Sequence, residues 1–177
     1  MKHFTLCIIS LCLGSNLFAQ EKINPVVKNF GGIYPIPHAT VKTDPNIEYK
    51  IIIDVLTGTK NPADTAWSLI NVARMLNLHA VSGANMNTME VVLAVHGSAT
   101  YTILNNETYR NRFEVDNPNI PIIKELQEAG VKFTVCGQSM QSRGVKPNEL
   151  FNKIEIATSM LTTVTTYQLK GYAFLRF

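Results

Sequence analysis

Three apolar runs, each closing on a glycine, set the terms on which this chain can fold. "YKIIIDVLTG", "MEVVLAVHG" and "VKFTVCG" are rich in β-branched residues and nearly continuous in hydrophobicity. A strand with one wet face alternates apolar and polar side chains, so continuous runs read as strands covered on both faces. The stretches between them have room for helices. Asn61-Pro62 opens a helical segment on which Trp67, Ile70, Ala73 or Arg74, and Leu76 or Leu78 fall at helical spacing, with Gly83 just beyond. "YTILNNETYRNRF" reads as a helical segment, and Asn119-Ile-Pro121 starts a helix, "PIIKELQEAG", that Gly130 closes. "VKPNELFN" gives a short helical turn and "KIEIA" a fourth strand. "SMLTTVTTYQLKG" gives a last helix, despite its four threonines, and "YAFLRF" a last strand. Strands that alternate with helical crossovers pair in parallel. The expected class is α/β: a single domain, with a mostly parallel sheet of about five strands flanked by helices.

The two ends of the chain read differently. Lys2 and His3 precede an almost wholly apolar Phe4 to Leu13, and Leu17-Phe-Ala19 stands before Gln20. A basic start, an apolar stretch too short to span a bilayer and a small residue before the cut make residues 1–19 a cleavable export signal, with a periplasmic destination. Cys12 lies in a context, Ser10-Leu11 before and Leu13 after, that fits lipid attachment poorly. Residues 20–46 are rich in Pro, Gly and Asn and lack a steady period. They form an N-terminal extension, ordered or mobile, ahead of the α/β domain at residues 47–177.

Charge narrows the partners. The chain has 16 basic and 13 acidic side chains, a net of +3 that falls by one when Lys2 leaves with the signal. There is no basic stripe interleaved with aromatics, so nucleic acid is not an expected partner. No later apolar run reaches membrane-spanning length, so no membrane association is expected after cleavage.

Signal cleavage also removes Cys7 and Cys12 and leaves Cys136 as the single thiol of the mature chain. A lone Cys in an exported protein is an intermolecular partner, a free reactive thiol or a small apolar core residue. Ligands of parallel sheets collect outside the carboxyl ends of the strands. Three loops meet there if the strands are neighbours: Thr57-Gly58-Thr59, His96-Gly97-Ser98 and Cys136-Gly137-Gln138-Ser139. Gly137 lets backbone approach a ligand, and the N–H groups of the following turn favour a thiolate. Gln138 and Ser139 offer further hydrogen bonds. His96 is either a base or hydrogen-bond partner for Cys136, or a half-buried residue capping the next turn. Gly97 and Ser98 complete the candidate set around it.

Other chemistries lack their residues. No Cys-x-x-Cys is present, and one Cys with scattered histidines makes no metal-ligand spacing. Neither GxGxxG nor GxxxxGK occurs, and "VHGSA" is not a GxSxG elbow, so no cofactor is expected. Tyr101, Tyr109, Arg110 and Arg112 either line an anion pocket or form a solvated helix face with the tyrosines packed inward.

The ordered blocks "MEVVLAVHGSATYTIL", "PIIKELQEAGVKFTVCGQSMQSRGVKPNELF" and "TTYQLKGYAFLRF" resemble the DsrE/DsrF-like (YchN-like) family, over about residues 48 to 177. The most specific part runs from Gly130 through Cys136 to Gly144, with Leu169-Lys-Gly-Tyr172 at the close. The resemblance, which is nearest to the family's exported branch, implies a parallel sheet of about five strands and assembly into trimers or hexamers. It implies sulfur carried as a persulfide on Cys136, between a donor and an acceptor protein. The alternative is a non-enzymatic, oligomeric protein, structural or binding a small ligand, in which Cys136 is packed or lines a pocket.

Overall fold

The computed structural model describes residues 20–177, so the expected signal at 1–19 lies outside the described residues. One sheet of five parallel strands organises the chain, in the order β4-β3-β2-β1-β5. The strands are β1 (Lys50–Val55), β2 (Glu90–Val95), β3 (Lys132–Cys136), β4 (Ile154–Ala157) and β5 (Ala173–Arg176). The helices are α1 (Trp67–Ser82), α2 (Asn106–Phe113), α3 (Ile120–Glu128), α4 (Gly137–Arg143) and α5 (Met160–Leu169). Short 3-10 turns at Gly97–Tyr101 and Pro147–Glu149 complete the path.

The strand order explains the two unequal faces. From β1 to β4 the chain steps in one direction, and then returns across the whole sheet to place β5 beside β1. Right-handed crossovers put helices of opposite travel on opposite faces. The main core accordingly holds Ile51, Ile53, Val55, Leu93, Phe133 and Val135 against α1, α2 and α3. The other face is crossed by α5 alone, over a small core of Ile52, Val92, Ala94 and Val164 with Met160, Tyr167 and Tyr172 packed around it. The threonines of α5 are accommodated because Thr163 and Thr165 donate back to the carbonyls of Ser159 and Leu161 within the helix.

Two local expectations change. The helix after β1 starts at Trp67, not near Asn61-Pro62. Asn61 instead closes its own turn, its side chain accepting from Ala63 N–H and its carbonyl from Asp64 N–H. The N-terminus of α1 is fixed from outside, where Asn119 Oδ1 accepts the Ala66 N–H at 2.7 Å. The buried stripe of α1 is Leu69, Val72, Ala73 and Leu76, while Trp67 is 63% exposed beneath the Arg74 guanidinium. Ala73 and Leu76 face the core as the spacing expects, whereas Trp67 and Leu78 are exposed.

Residues 20–46 lie ordered against the domain. Ile23 and Ile33 pair as an antiparallel bridge, and Val27 between them is fully buried in the main core.

Candidate functional site

Cys136 ends β3 and directly precedes α4, so its sulfur sits where main-chain N–H groups are left without helical acceptors. The strand order adds a second such end. The crossover from β4 begins α5 at Met160, beside the carboxyl end of β3, and the Met160 N–H also favours the thiolate. Ser159 caps α5 through its hydroxyl, which accepts from Leu161 N–H at 3.2 Å and leaves the Met160 N–H free for this contact. The thiol thus lies between the N-termini of two helices. Burial alone pushes its pKa up. The N–H groups of Met160, Ser139 and Gln138 together with the Ser139 hydroxyl outweigh that, and hold the thiol below its ordinary value.

The surrounding loops are stitched to one another. Ser139 Oγ accepts the Gly97 N–H at 3.2 Å, which orients its proton toward the sulfur. Ser98 turns away, accepting from Gly58 N–H at 3.0 Å, and so ties the β2 loop to the β1 loop. Gly137 fits because a Cβ there would stand 2.9 Å from the Ala157 carbonyl oxygen. The Gln138 side chain is exposed, and its contribution to the sulfur is its main-chain N–H. Cys136 keeps 5% of its surface exposed, while His96, Gly97, Gly137, Ser139 and Met160 around it are half-buried. The sulfur lies one side chain beneath the surface.

His96 does not bond to the thiol. Its Nε2 meets Asp54 Oδ1 at 2.5 Å, and Arg176 Nε stands 3.4 Å from Asp54 Oδ2. The structure therefore brings Cys136, Gly137, Ser139, His96 and Gly97 together around one rim, and gives Ser98 a joining role between loops. Three contributors escaped sequence reasoning. Asp54 was visible as the one acidic residue inside the "YKIIIDV" run, Arg176 belongs to the last strand, and the Met160 N–H becomes relevant only through the topology.

The second cluster singled out from the sequence is packing. Tyr109 is buried against Phe113, Arg110 pairs with Asp116, and Arg112 lies over the Tyr101 ring and donates to the Gly144 carbonyl. No group of three or more His, Cys, Asp or Glu among the described residues is placed to hold a metal ion. No helix among them is long and apolar enough to cross a membrane. A groove of about 440 Å³ between the N-terminal segment and α1, lined by Tyr34, Ile36, Leu78 and Val81, shares no residue with the thiol site.

The sequence profile of the DsrE/DsrF-like family matches residues 50–177. The chain belongs to that family. Two solved structures share its fold. MTH1491 from Methanobacterium thermoautotrophicum, a protein of unknown function, is 15% identical with a TM-score of 0.53. The ychN protein from E. coli is 20% identical with a TM-score of 0.50. Each comparison covers 73% of this chain and 99% of the other. No protein of curated function matches the chain. In this DsrE/DsrF-like protein the matched region begins at β1, so the N-terminal segment lies outside it.

Proposed function

We propose that this DsrE/DsrF-like protein carries sulfur as a persulfide on Cys136. The observation that supports it is the convergence of three main-chain N–H groups and one hydroxyl on a single thiol, from two helix N-termini. The Cys136 thiolate attacks the outer sulfur of a donor persulfide. A new S–S bond forms, the donor's S–S bond breaks, and the donor leaves as a thiolate that takes a proton from water. The charge on the resulting Cys136 persulfide stays near the same N–H groups.

Export belongs to the proposal. Loss of residues 1–19 leaves no second cysteine in the chain, so the outer sulfur cannot be displaced into an internal disulfide and leaves only with another molecule. The acceptor is then an exported thiol, and the protein is periplasmic. Assembly into a trimer or hexamer is part of the same reading. The large apolar side chains Leu161, Leu169 and Phe174, exposed on and beside α5, favour contact with further copies.

One observation favours a second reading. With 5% of its surface exposed, Cys136 suits a packed residue of a non-enzymatic binding protein. Intact mass of the purified mature protein, with and without a persulfide donor and then with reductant, decides between them. A sulfur carrier gains the mass of one sulfur and loses it to reductant. A Cys136 that never gains mass and resists alkylation in the folded state leaves the binding reading.

A further inference from the structure

Among the described residues, Asp54 is the only charged side chain that is buried, at 4% exposure. It sits in β1, an interior strand with β2 on one side and the edge strand β5 on the other. A buried ion pair is weak support for stability, because a well-packed apolar side chain of similar size usually does as well. Its placement points elsewhere. Ala94 pairs with Asp54 on one side and with Thr134 on the other, so Asp54, Ala94 and Thr134 share the α5 face of the sheet. Two residues further along their strands, on the same face, come His96 and Cys136. Val95 pairs with Val135, so His96 and Cys136 are level on adjacent strands, with backbones about 5 Å apart.

The Asp54 carboxylate accepts from His96 Nε2, which fixes the imidazole proton on that nitrogen. His96 Nδ1 is left with its lone pair and with no hydrogen-bond partner among the described residues. The ring is half-buried, at the carboxyl end of the strand next to the one that carries the thiol. Arg176, reaching Asp54 from β5, holds the carboxylate from its other oxygen.

Resting on the sulfur-transfer reading, we infer that His96 takes the proton of the incoming acceptor thiol, and that Asp54 is its positioning residue. In that step the acceptor's S–H proton passes to Nδ1 and the acceptor thiolate attacks the outer sulfur of the Cys136 persulfide. The new S–S bond forms on the acceptor, the old one breaks, and its electron pair returns to Cys136 as a thiolate. No net oxidation occurs, and the imidazolium, countered by Asp54, releases its proton to solvent. The first transfer draws instead on the donors around Cys136, which hold its thiol below the ordinary value.

The test loads the protein with a small alkyl persulfide and follows unloading to two acceptors by intact mass. Mercaptoethanol arrives protonated at neutral pH, whereas nitrothiophenol arrives as its thiolate. His96→Gln is expected to load like the wild type and to unload to mercaptoethanol about a hundredfold more slowly, the usual size of a general-base contribution. Its unloading to nitrothiophenol is expected to stay within about twofold of wild type. Asp54→Asn, which keeps a hydrogen-bonding side chain, is expected to show the same selective loss to a smaller degree. Equal slowing with both thiols, or no slowing with either, overturns the assignment and leaves sulfur carriage standing. A wild type that never loads overturns both.

Discussion

Asn77 Oδ1 accepts the main-chain N–H groups of both Val26 and Val27, at 2.9 and 3.0 Å, from a position with no solvent exposure. Its Nδ2 donates to the carbonyls of Phe30 and Gly31, at 3.0 and 3.1 Å. One side chain of α1 therefore carries the polar requirements of a segment whose Val27 is fully buried. Asn77→Ala leaves buried N–H and C=O groups unpaired, with an expected loss of about 3 kcal/mol. Urea unfolding measures it, and limited proteolysis should cut first within residues 20–33. Gly31→Ala displaces the same segment while the Asn77 side chain is kept. Gly31 has a φ of +66°, and an added Cβ would fall 2.3 Å from the Arg74 nitrogen. An unchanged proteolytic pattern in both variants would show that the segment is not held this way.

The acidity of Cys136 is open to a direct titration. The rate of alkylation follows the thiolate fraction, so its midpoint is expected below that of an ordinary cysteine. Ser139→Ala removes the hydroxyl donor and moves the midpoint upward while the main-chain donors remain. The same shift has a stability sign. A depressed folded-state pKa contributes stability that is present above the ordinary thiol pKa and is lost as pH falls through the lowered one. Cys136→Ser, compared with wild type by urea unfolding across that window, is expected to lack this slope.

Gly137→Ala tests the contact between the two helix starts. The added Cβ meets the Ala157 carbonyl oxygen at 2.9 Å, main chain against side chain, so one of the two loops has to shift. The expected cost is about 1–3 kcal/mol. More tellingly, retreat of the β4–α5 loop takes the Met160 N–H away from the sulfur and raises the alkylation midpoint. A stable variant with an unchanged midpoint would show that the Met160 contact contributes nothing to acidity.

At the opposite ends of the strands, the Tyr172 hydroxyl donates to Glu90 Oε2 at 2.5 Å. Burial and then this bond push the Tyr172 pKa up to about 12, and the same bond holds Glu90 below the usual carboxylate range. Because the fold disfavours the phenolate, the unfolded chain loses its proton first. Stability from this group is intact below about pH 10 and declines as pH rises toward the folded value of about 12. Tyr172→Phe is expected to remove that alkaline decline, and the phenolate absorbance should lose its last-titrating component.

The sequence made the strands legible because burial on both faces writes itself as unbroken β-branched runs, and "VKFTVCG" placed Cys136 at a strand end without ambiguity. Where a helix begins was harder to read than its period. α1 buries Leu69 and Leu76 and exposes Trp67 because Asn119, distant in sequence, fixes where the helix begins. Asp54 was hidden inside a run whose apolar majority made its charge look incidental, and its meaning depends on His96 lying one strand away. The Met160 donor could be found only once the last crossover was known to pass over β3, since no local pattern distinguishes that N–H from any other at a helix start.

That return crossover has a consequence for a chain that is only partly folded. A polypeptide folded only as far as α4 already has its cysteine, together with the Gln138 and Ser139 donors. It lacks the Met160 N–H until α5 has formed and docked. Full acidity of the thiol therefore waits on α5, so a copy truncated before Met160 keeps the sulfur and loses one of its donors.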